Sequence, residues 1–447
     1  MWPILPPREA LLIVGAMFIA VMTSARLIQP QWWQARALRV ATFLSFAGML
    51  MGLAIWATGI GLGRWPYVTT GAGMTYVGIL VLAPAALVMP LGAVLDRGLM
   101  FATRSRGPLA PGGAFDASPP PRRTVSRRGM IRAGAASLPA LAAATGASGF
   151  ASAEARPRLP IVTMRYNGLH PDLEGFRILH LSDLHLGACR GLDDLAKGLE
   201  AVLAVDRPDL IVLTGDVADD PAQIAGAMDL VVRAAARHGA FASLGNHEYL
   251  HGIEHTRPHF EASRVPLLVA SGRTVHVGRA RLFVGGADDP LQIGGDIAAL
   301  VTPSIARAAA QAPASADFRL LLCHRPEGHA PAAAHGFDLT LSGHTHGGQV
   351  GLFGRSLLAY LRPETSWWGT YERARPDSRS ARRSALASSP SRLYTTSGFG
   401  HWFPFRVGCP TEMPVIVLTG SEGPGTEGAP EGPGTEGAPR SGPASSA

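Results

Sequence analysis

Cysteine is scarce in this chain. Only three occur in 447 residues, Cys189, Cys323 and Cys409, widely separated, without an even count and without CxxC spacing. That pattern argues against a disulfide framework and against a zinc ribbon. Acidic residues are outnumbered as well, 33 against 40 Lys and Arg, for a formal net charge of +7. Such a balance can mark a nucleic-acid partner, yet no RNA- or DNA-binding motif accompanies it. The arginines crowd beside apolar runs, so the charge reads as membrane topology. Those apolar runs contain no ionisable side chain, which argues against a transporter, because a transport pathway needs such groups in the membrane.

The long apolar runs that are present lie before Leu99. Ala41 to Leu62 and Trp65 to Leu95 each reach bilayer thickness, since spanning takes about 20 apolar residues. Ala10 to Ala25, bounded by Arg8 and Arg26, is shorter and reads either as a span or as an interfacial helix. Residues 1–98 are therefore expected to form about three transmembrane helices. Arginines follow the first run (Arg26, Arg36, Arg39) and cluster densely from Arg97 to Arg132 after the third, while the second connection holds only Arg64. Positive charge resists translocation, so the first and third connections are expected in the cytoplasm. This places the chain in an inner, multi-pass membrane setting.

Residues 99–132 form a basic linker that ends in Ser126-Arg127-Arg128-Gly129-Met130-Ile131-Arg132. Residues 133–155 follow, small and weakly apolar, with Ala151-Ser152-Ala153 as a possible cleavage site. The segment resembles a twin-arginine export signal in an internal position; a fourth membrane segment is the other reading. Both put the next domain on the extracytoplasmic side, whereas a plain surface loop would leave it in the cytosol.

From Arg177 onward short apolar runs alternate with amphipathic stretches, the pattern of a layered α/β domain. Ile178–Leu181, Leu210–Leu213, Phe241–Leu244, Leu320–Leu322 and Leu339–Leu341 read as buried strands. Leu192, Leu195, Leu199 and Val202, then Ile224, Met228, Val231 and Val232, recur at helical spacing. Each strand ends in a polar cluster: Asp183 and His185; Asp216 and Asp219; Asn246, His247 and Glu248; His324; His344 and His346. The carboxyl edges of strands in open α/β sheets converge on the ligand crevice, so five clusters at five edges point to one place. Carboxylate oxygen and imidazole nitrogen suit hard or borderline divalent cations, and a carboxylate can bridge two of them. A pair of cations activates a water between them and neutralises charge building on phosphate oxygens, with help from a donor such as His247.

The order D-x-H, G-D-x-x-D, G-N-H-E, a strand-terminal His, then G-H-T-H-G-G-Q resembles the calcineurin-like metallophosphoesterase superfamily over about Ile161 to Leu418. The resemblance implies a two-layer β-sandwich flanked by helices, a four-layer α/β/β/α domain from about 160 to 419. It also implies two divalent cations, of Mn, Fe, Zn, Mg or Ni. Asp183, His185, Asp216 and His346 would hold one and Asp216, Asn246, His324 and His344 the other, with Asp216 as the bridge and His247 as phosphate-facing donor or acid. The closing residues Thr396–Gly400, Pro404–Arg406 and Cys409–Glu412 are similar to the bacterial membrane-associated members. Ser397 stands where an arginine is common in relatives, and Cys409 reads as structural.

Asp219, His251, Gly347 and His401 stand as candidate substrate contacts. His251, His255 and His259 recur every fourth residue, but Pro258 argues for a loop over the rim of the site instead of a helix. Trp367, Trp368, Tyr371, His401 and Trp402 read either as rim aromatics or as core. Arg373 to Arg392 reads as an exposed insertion, near anionic lipid head groups or simply solvated. Residues 420–447 repeat a Gly/Pro-rich unit that cannot order itself. The expected activity is hydrolysis of a phosphate mono- or diester, of a phospholipid, glycolipid or other envelope molecule. The rival reading is a membrane-anchored sensor that binds a phosphorylated ligand without turnover. No nucleic-acid partner is expected.

Overall fold

The computed structural model describes residues 7–23, 36–62 and 151–420, the last without 293–294, 376–385, 387–388 and 402–403, and isolated positions from 67 to 150. Most of the expected span Trp65–Leu95, the basic linker, the twin-arginine motif and the tail beyond Gly420 lie outside the described residues.

Helix α1 (Pro7–Thr23) and helix α2 (Arg36–Leu62) occupy the first two apolar runs. Within α2, Thr42–Gly59 is long and apolar enough to cross a membrane; α1 is shorter. The two helices pack, with the Phe18 ring edge-on to Phe46 at 4.9 Å between centroids.

The domain that follows is built on two sheets. In chain order its strands are β1 (Ile161–Tyr166), β2 (Arg177–Leu181), β3 (Leu210–Thr214), β4 (Ala240–Ser243), β5 (Ser271–Val277), β6 (Ala280–Gly286), β7 (Phe318–Leu322), β8 (Leu339–Ser342), β9 (Gly351–Leu352), β10 (Arg355–Ser356), β11 (Gly369–Arg373), β12 (Ser391–Thr395) and β13 (Val415–Gly420). One sheet has the order β1-β13-β2-β3-β4, the other β11-β12-β8-β7-β6-β5, and β9 and β10 form a separate hairpin. β2, β3 and β4 run parallel, as do β6, β7, β8 and β12.

Residue alternation sorts the layers, because successive strand side chains point to opposite faces. On β3, Leu210 and Val212 join a core with Phe318, Leu320 and Leu322 of β7, which is the interior between the sheets. Ile211 and Leu213 face the other way, onto α3 (Leu192–Val205) and α4 (Ala222–Arg233). The second sheet turns Phe283 and Leu321 outward onto α7 (Ile297–Ala310). Helix α4 buries Ile224, Ala227, Met228 and Val231, one helical stripe. The expected α/β/β/α layering is what these clusters describe.

Two short helices intervene after β4: α5 (Asn246–Leu250) and α6 (Ile253–Glu261). The second corrects the expected rim loop, since His255 and His259 lie on a helix that contains Pro258. Its buried side chains Thr256 and Phe260 anchor the turn despite the missing N–H; Thr256 Oγ1 donates to Glu248 O at 3.1 Å. Residues 148–154 are also helical and lie on the domain. Arg190 Nη2 donates to the carbonyls of Ala153 and Ala155 at 2.8 Å each, and the Arg406 N–H donates to Gly149 O at 2.9 Å.

Candidate metal centre

β2, β3 and β4 of one sheet and β7 and β8 of the other all end at the same place. The backbone leaving them is unusual. Among the described residues nine non-glycine residues have positive φ, and five of them are Asp183, His185, Asp216, His344 and His346. A left-handed conformation costs an L-residue roughly 1–2 kcal/mol, so the fold has to enforce five such turns together. Close approach helps enforce them. A Cβ on Gly343 would lie 1.9 Å from Asp183 Oδ2, and one on Gly245 would lie 2.3 Å from Asp216 Oδ1. Glu248, named in no expected role, ties β3 to β4: its carboxylate accepts from the N–H groups of Asp216, Val217 and Gly245 at 3.0, 2.8 and 2.7 Å.

The side chains released by these turns form two adjoining groups. His185 Nε2 lies 3.2 Å from His346 Nε2, which is 3.4 Å from Asp183 Oδ1. His324 Nε2 lies 3.1 Å from Asp216 Oδ2 and 3.3 Å from His344 Nδ1. Asp216 Oδ2 is also 3.8 Å from His185 Nε2, so this carboxylate stands between the groups. In each of the sets Asp183/His185/His346 and Asp216/His324/His344, the donor atoms lie within 4.8 Å of one another.

Partners behind the rings fix their orientation. His324 Nδ1 sits 2.7 Å from Thr214 O, and since a carbonyl only accepts, that nitrogen carries a proton and Nε2 is the ring nitrogen turned toward the centre. His185 Nδ1 faces Asp219 Oδ2 at 3.1 Å with the same result. Asn246 Oδ1 is buried with no hydrogen-bond partner, an acceptor without a donor.

The electrostatics call for positive charge at the centre. Burial alone would lower His324 and His247, but Asp216 with Asp183 beside the first, and Asp216 with Asp219 beside the second, push them up to about 10 and about 9. Burial lifts Asp183, whereas against burial the imidazoles of His324 and His247 hold Asp216 well below the usual carboxylate range. His344 and His346 are pushed far down, first by burial and then by His324 and His185 respectively. Buried carboxylates demand counter-charge. Divalent cations meet that demand, and the donor set of carboxylate, imidazole and the orphaned Asn246 oxygen suits them.

Of the four expected substrate contacts, the structure buries Asp219, Gly347 and His401 and leaves His251 partly buried. Asp219 is fully buried, and both its oxygens face imidazoles: Oδ1 meets His247 Nδ1 at 2.7 Å and His251 Nε2 at 3.1 Å, Oδ2 meets His185. It positions rings and does not line an open surface. His251 is correspondingly held at the edge of that cluster. Gly347 is buried with φ of 61°, and a Cβ there would meet Cys409 Sγ at 2.4 Å, so its role is steric. His401 is 0% exposed with both ring nitrogens unpartnered, the core alternative of its two readings. Trp368 and Tyr371 are half-buried, the first donating to Glu412 at 3.3 Å; Trp402 lies outside the described residues.

Arg406 closes the run Pro404–Arg406 and has no role in the sequence pattern. Its guanidinium is entirely buried beneath His346, where Nη2 donates to the carbonyls of Ser397 and Gly400 at 2.8 and 2.7 Å and lies 3.2 Å from His346 Nδ1. The signal that could have found it was its place between the small-residue turn Gly398–Gly400 and Cys409, where a buried chain crossing needs many donors for carbonyls. Arg325, next to His324, pairs in the interior with Asp289 at 2.8 Å.

Residues 176–348 match the model for calcineurin-like phosphoesterases. These residues belong to the calcineurin-like phosphoesterase family. The phosphoesterase domain is similar to an uncharacterized metallophosphoesterase of Campylobacter jejuni, 29% identical over 272 residues, covering 60% of this chain and 64% of that one. It is similar to another from Helicobacter pylori, 28% identical over 273 residues, covering 60% and 66%. A transmembrane protein with metallophosphoesterase domain from Danio rerio is 27% identical over 289 residues, covering 60% and 59%. The chain thus spans just under two thirds of the length of these relatives.

Proposed function

We propose that the phosphoesterase domain hydrolyses a phosphate mono- or diester with two divalent cations, one held by Asp183, His185, Asp216 and His346 and the other by Asp216, Asn246, His324 and His344. The single observation that carries this reading is the position of Asp216 Oδ2 between two groups of donors, 3.1 Å from His324 and 3.8 Å from His185. When bound, the cations would supply an activated water and the positive charge that stabilises the phosphate in flight. The chain's own residues do the rest. Asp216 and Asp183 hold the cations' positions, and His247, oriented by Asp219, offers Nε2 as the proton donor to the departing alkoxide. His247 Nε2 lies 4.0 Å from Asp216 Oδ2, close enough to reach an ester oxygen lodged at the centre. Water oxygen joins phosphorus, the P–O ester bond breaks, and the alcohol leaves with the proton.

Helix α2 and the transmembrane naming of the Danio rerio relative support a membrane-attached chain. On that ground the substrate class is an envelope or lipid-linked phosphate ester, met on the extracytoplasmic side. The test is hydrolysis of bis-p-nitrophenyl phosphate and p-nitrophenyl phosphate by the purified chain. Turnover should require added divalent cation and fall by about 100-fold or more in Asp216→Asn. Tight binding of inorganic phosphate without turnover in the parent would instead support the sensor.

A further inference from the structure

Large hydrophobic side chains exposed on the domain are mostly single: Ile161, Val205 and Leu291 stand apart. Between 352 and 361 they crowd. Leu352, Phe353, Leu357, Tyr360 and Leu361 are 48, 91, 40, 66 and 77% exposed. Single exposed hydrophobics are ordinary, but a contiguous set marks a surface that something covers.

The segment comprises the β9–β10 hairpin and a single helical turn, Leu357–Tyr360. Leu352 pairs with Arg355, so Phe353 and Gly354 make the two-residue turn, with φ of 49° and 77°. Asn-Gly fills such a turn without strain. A phenylalanine there costs about 1–2 kcal/mol and, being almost wholly exposed, packs against nearly nothing in exchange. The hairpin is joined stiffly to the metal centre. The Gly351 N–H donates to Val407 O at 2.7 Å and the Leu357 N–H to Val350 O at 2.8 Å. A Cβ on Gly348, two residues after His346, would lie 2.7 Å from Leu358 Cδ1.

The charge around the tip selects the occupant. Arg355 and Arg362 flank the apolar side chains, and Glu364 is the sole acidic residue from 349 to 366. Aromatic and aliphatic side chains bordered by arginine suit the interface of an anionic bilayer, and the chain carries in α2 a helix able to span one. A second copy of the chain would bring the same positive charges to the contact.

We propose that the hairpin 351–362 inserts into the lipid surface to which the chain is attached and holds the metal centre against the head groups, so that the substrate is the phosphate ester of a membrane lipid. The substrate part rests on the hydrolase reading; the insertion does not. The test uses the full chain reconstituted in vesicles of phosphatidylethanolamine and phosphatidylglycerol, with Cys189→Ser and an environment-sensitive fluorophore on Phe353→Cys or, as control, on Val205→Cys. Acyl-chain spin-labelled lipid should quench the label at 353 and spare that at 205. Equal quenching at both sites, none at either, or a signal that follows protein density and not lipid, as self-association would, overturns insertion. In the second arm a Phe353→Ser/Leu361→Ser variant hydrolyses hexadecyl p-nitrophenyl phosphate in vesicles about tenfold or more slowly, and soluble bis-p-nitrophenyl phosphate within about twofold of the parent. Equal rates for variant and parent on the vesicle-borne ester overturn the lipid-substrate part. Absence of turnover on the soluble ester by the parent defeats the hydrolase reading instead, and leaves the quenching result to decide insertion alone.

Discussion

Asp219 shows how one buried side chain orients several rings of the candidate site. Its oxygens hold His185, His247 and His251, and although burial would raise its pKa, the first two imidazoles keep it well below the carboxylate range. Asp219→Asn would leave those rings free to rotate or change tautomer. Groups behind metal-ligating or acidic rings are worth about 10- to 100-fold, so kcat for the soluble diester should drop by that factor with KM little changed. Steady-state kinetics with saturating cation check it; an unchanged kcat would separate His247 from the reaction. The residue pattern G-D-x-x-D made Asp219 visible in the sequence, but not which way it faces. Its three partners come from positions 185, 247 and 251, brought together only when β2, β3 and β4 stand side by side.

At the scale of elements, β2 carries a conflict that should register as pH sensitivity. His180 lies on this strand, wholly buried, with Nε2 2.8 Å from Thr214 Oγ1, and burial depresses its pKa from 6.5 to about 3. The unfolded chain takes up a proton below pH 6.5 while the folded strand refuses it until about pH 3. This group's share of stability is therefore complete above pH 6.5 and is lost as pH falls from there toward 3, by up to about 1.4 kcal/mol per unit. Chemical denaturation of His180→Gln should show a flatter acid limb than the parent; identical limbs would refute the assignment. The strands bearing the five polar clusters were legible as apolar runs ending in Asp, Asn or His. β1, β5 and β11 were not, because they are largely exposed or half-buried, and neither were β6, β12 and β13, which are mostly buried but do not end in one of the five clusters. Helix α6 was misread for a related reason: local propensity at Pro258 lost to the burial of Thr256 and Phe260.

For the whole molecule, the two sheets meet over a shared interior, and the candidate metal centre sits where their strand ends face one another, so a cation bound there would be coupled to folding. Without cations, Asp183, Asp216 and the clustered imidazoles confront one another in the interior. A cation at 100 times its dissociation constant adds about 2.7 kcal/mol, equivalent to about 5 to 10 °C in Tm for a domain of this size. Thermal unfolding of the chelator-treated chain, with and without added divalent cation, measures that gap; coincident curves would contradict metal binding. Residue types alone made the chemistry on offer legible, and the period of the apolar residues a layered α/β domain, since both are local properties of the chain. Folding alone reveals that Asp219 and His401 are sealed in, that Arg406 lies under His346, and that the hairpin bearing Phe353 is packed on the turn that follows His346. Those facts depend on contacts between residues far apart in the chain, and no spacing along it encodes them.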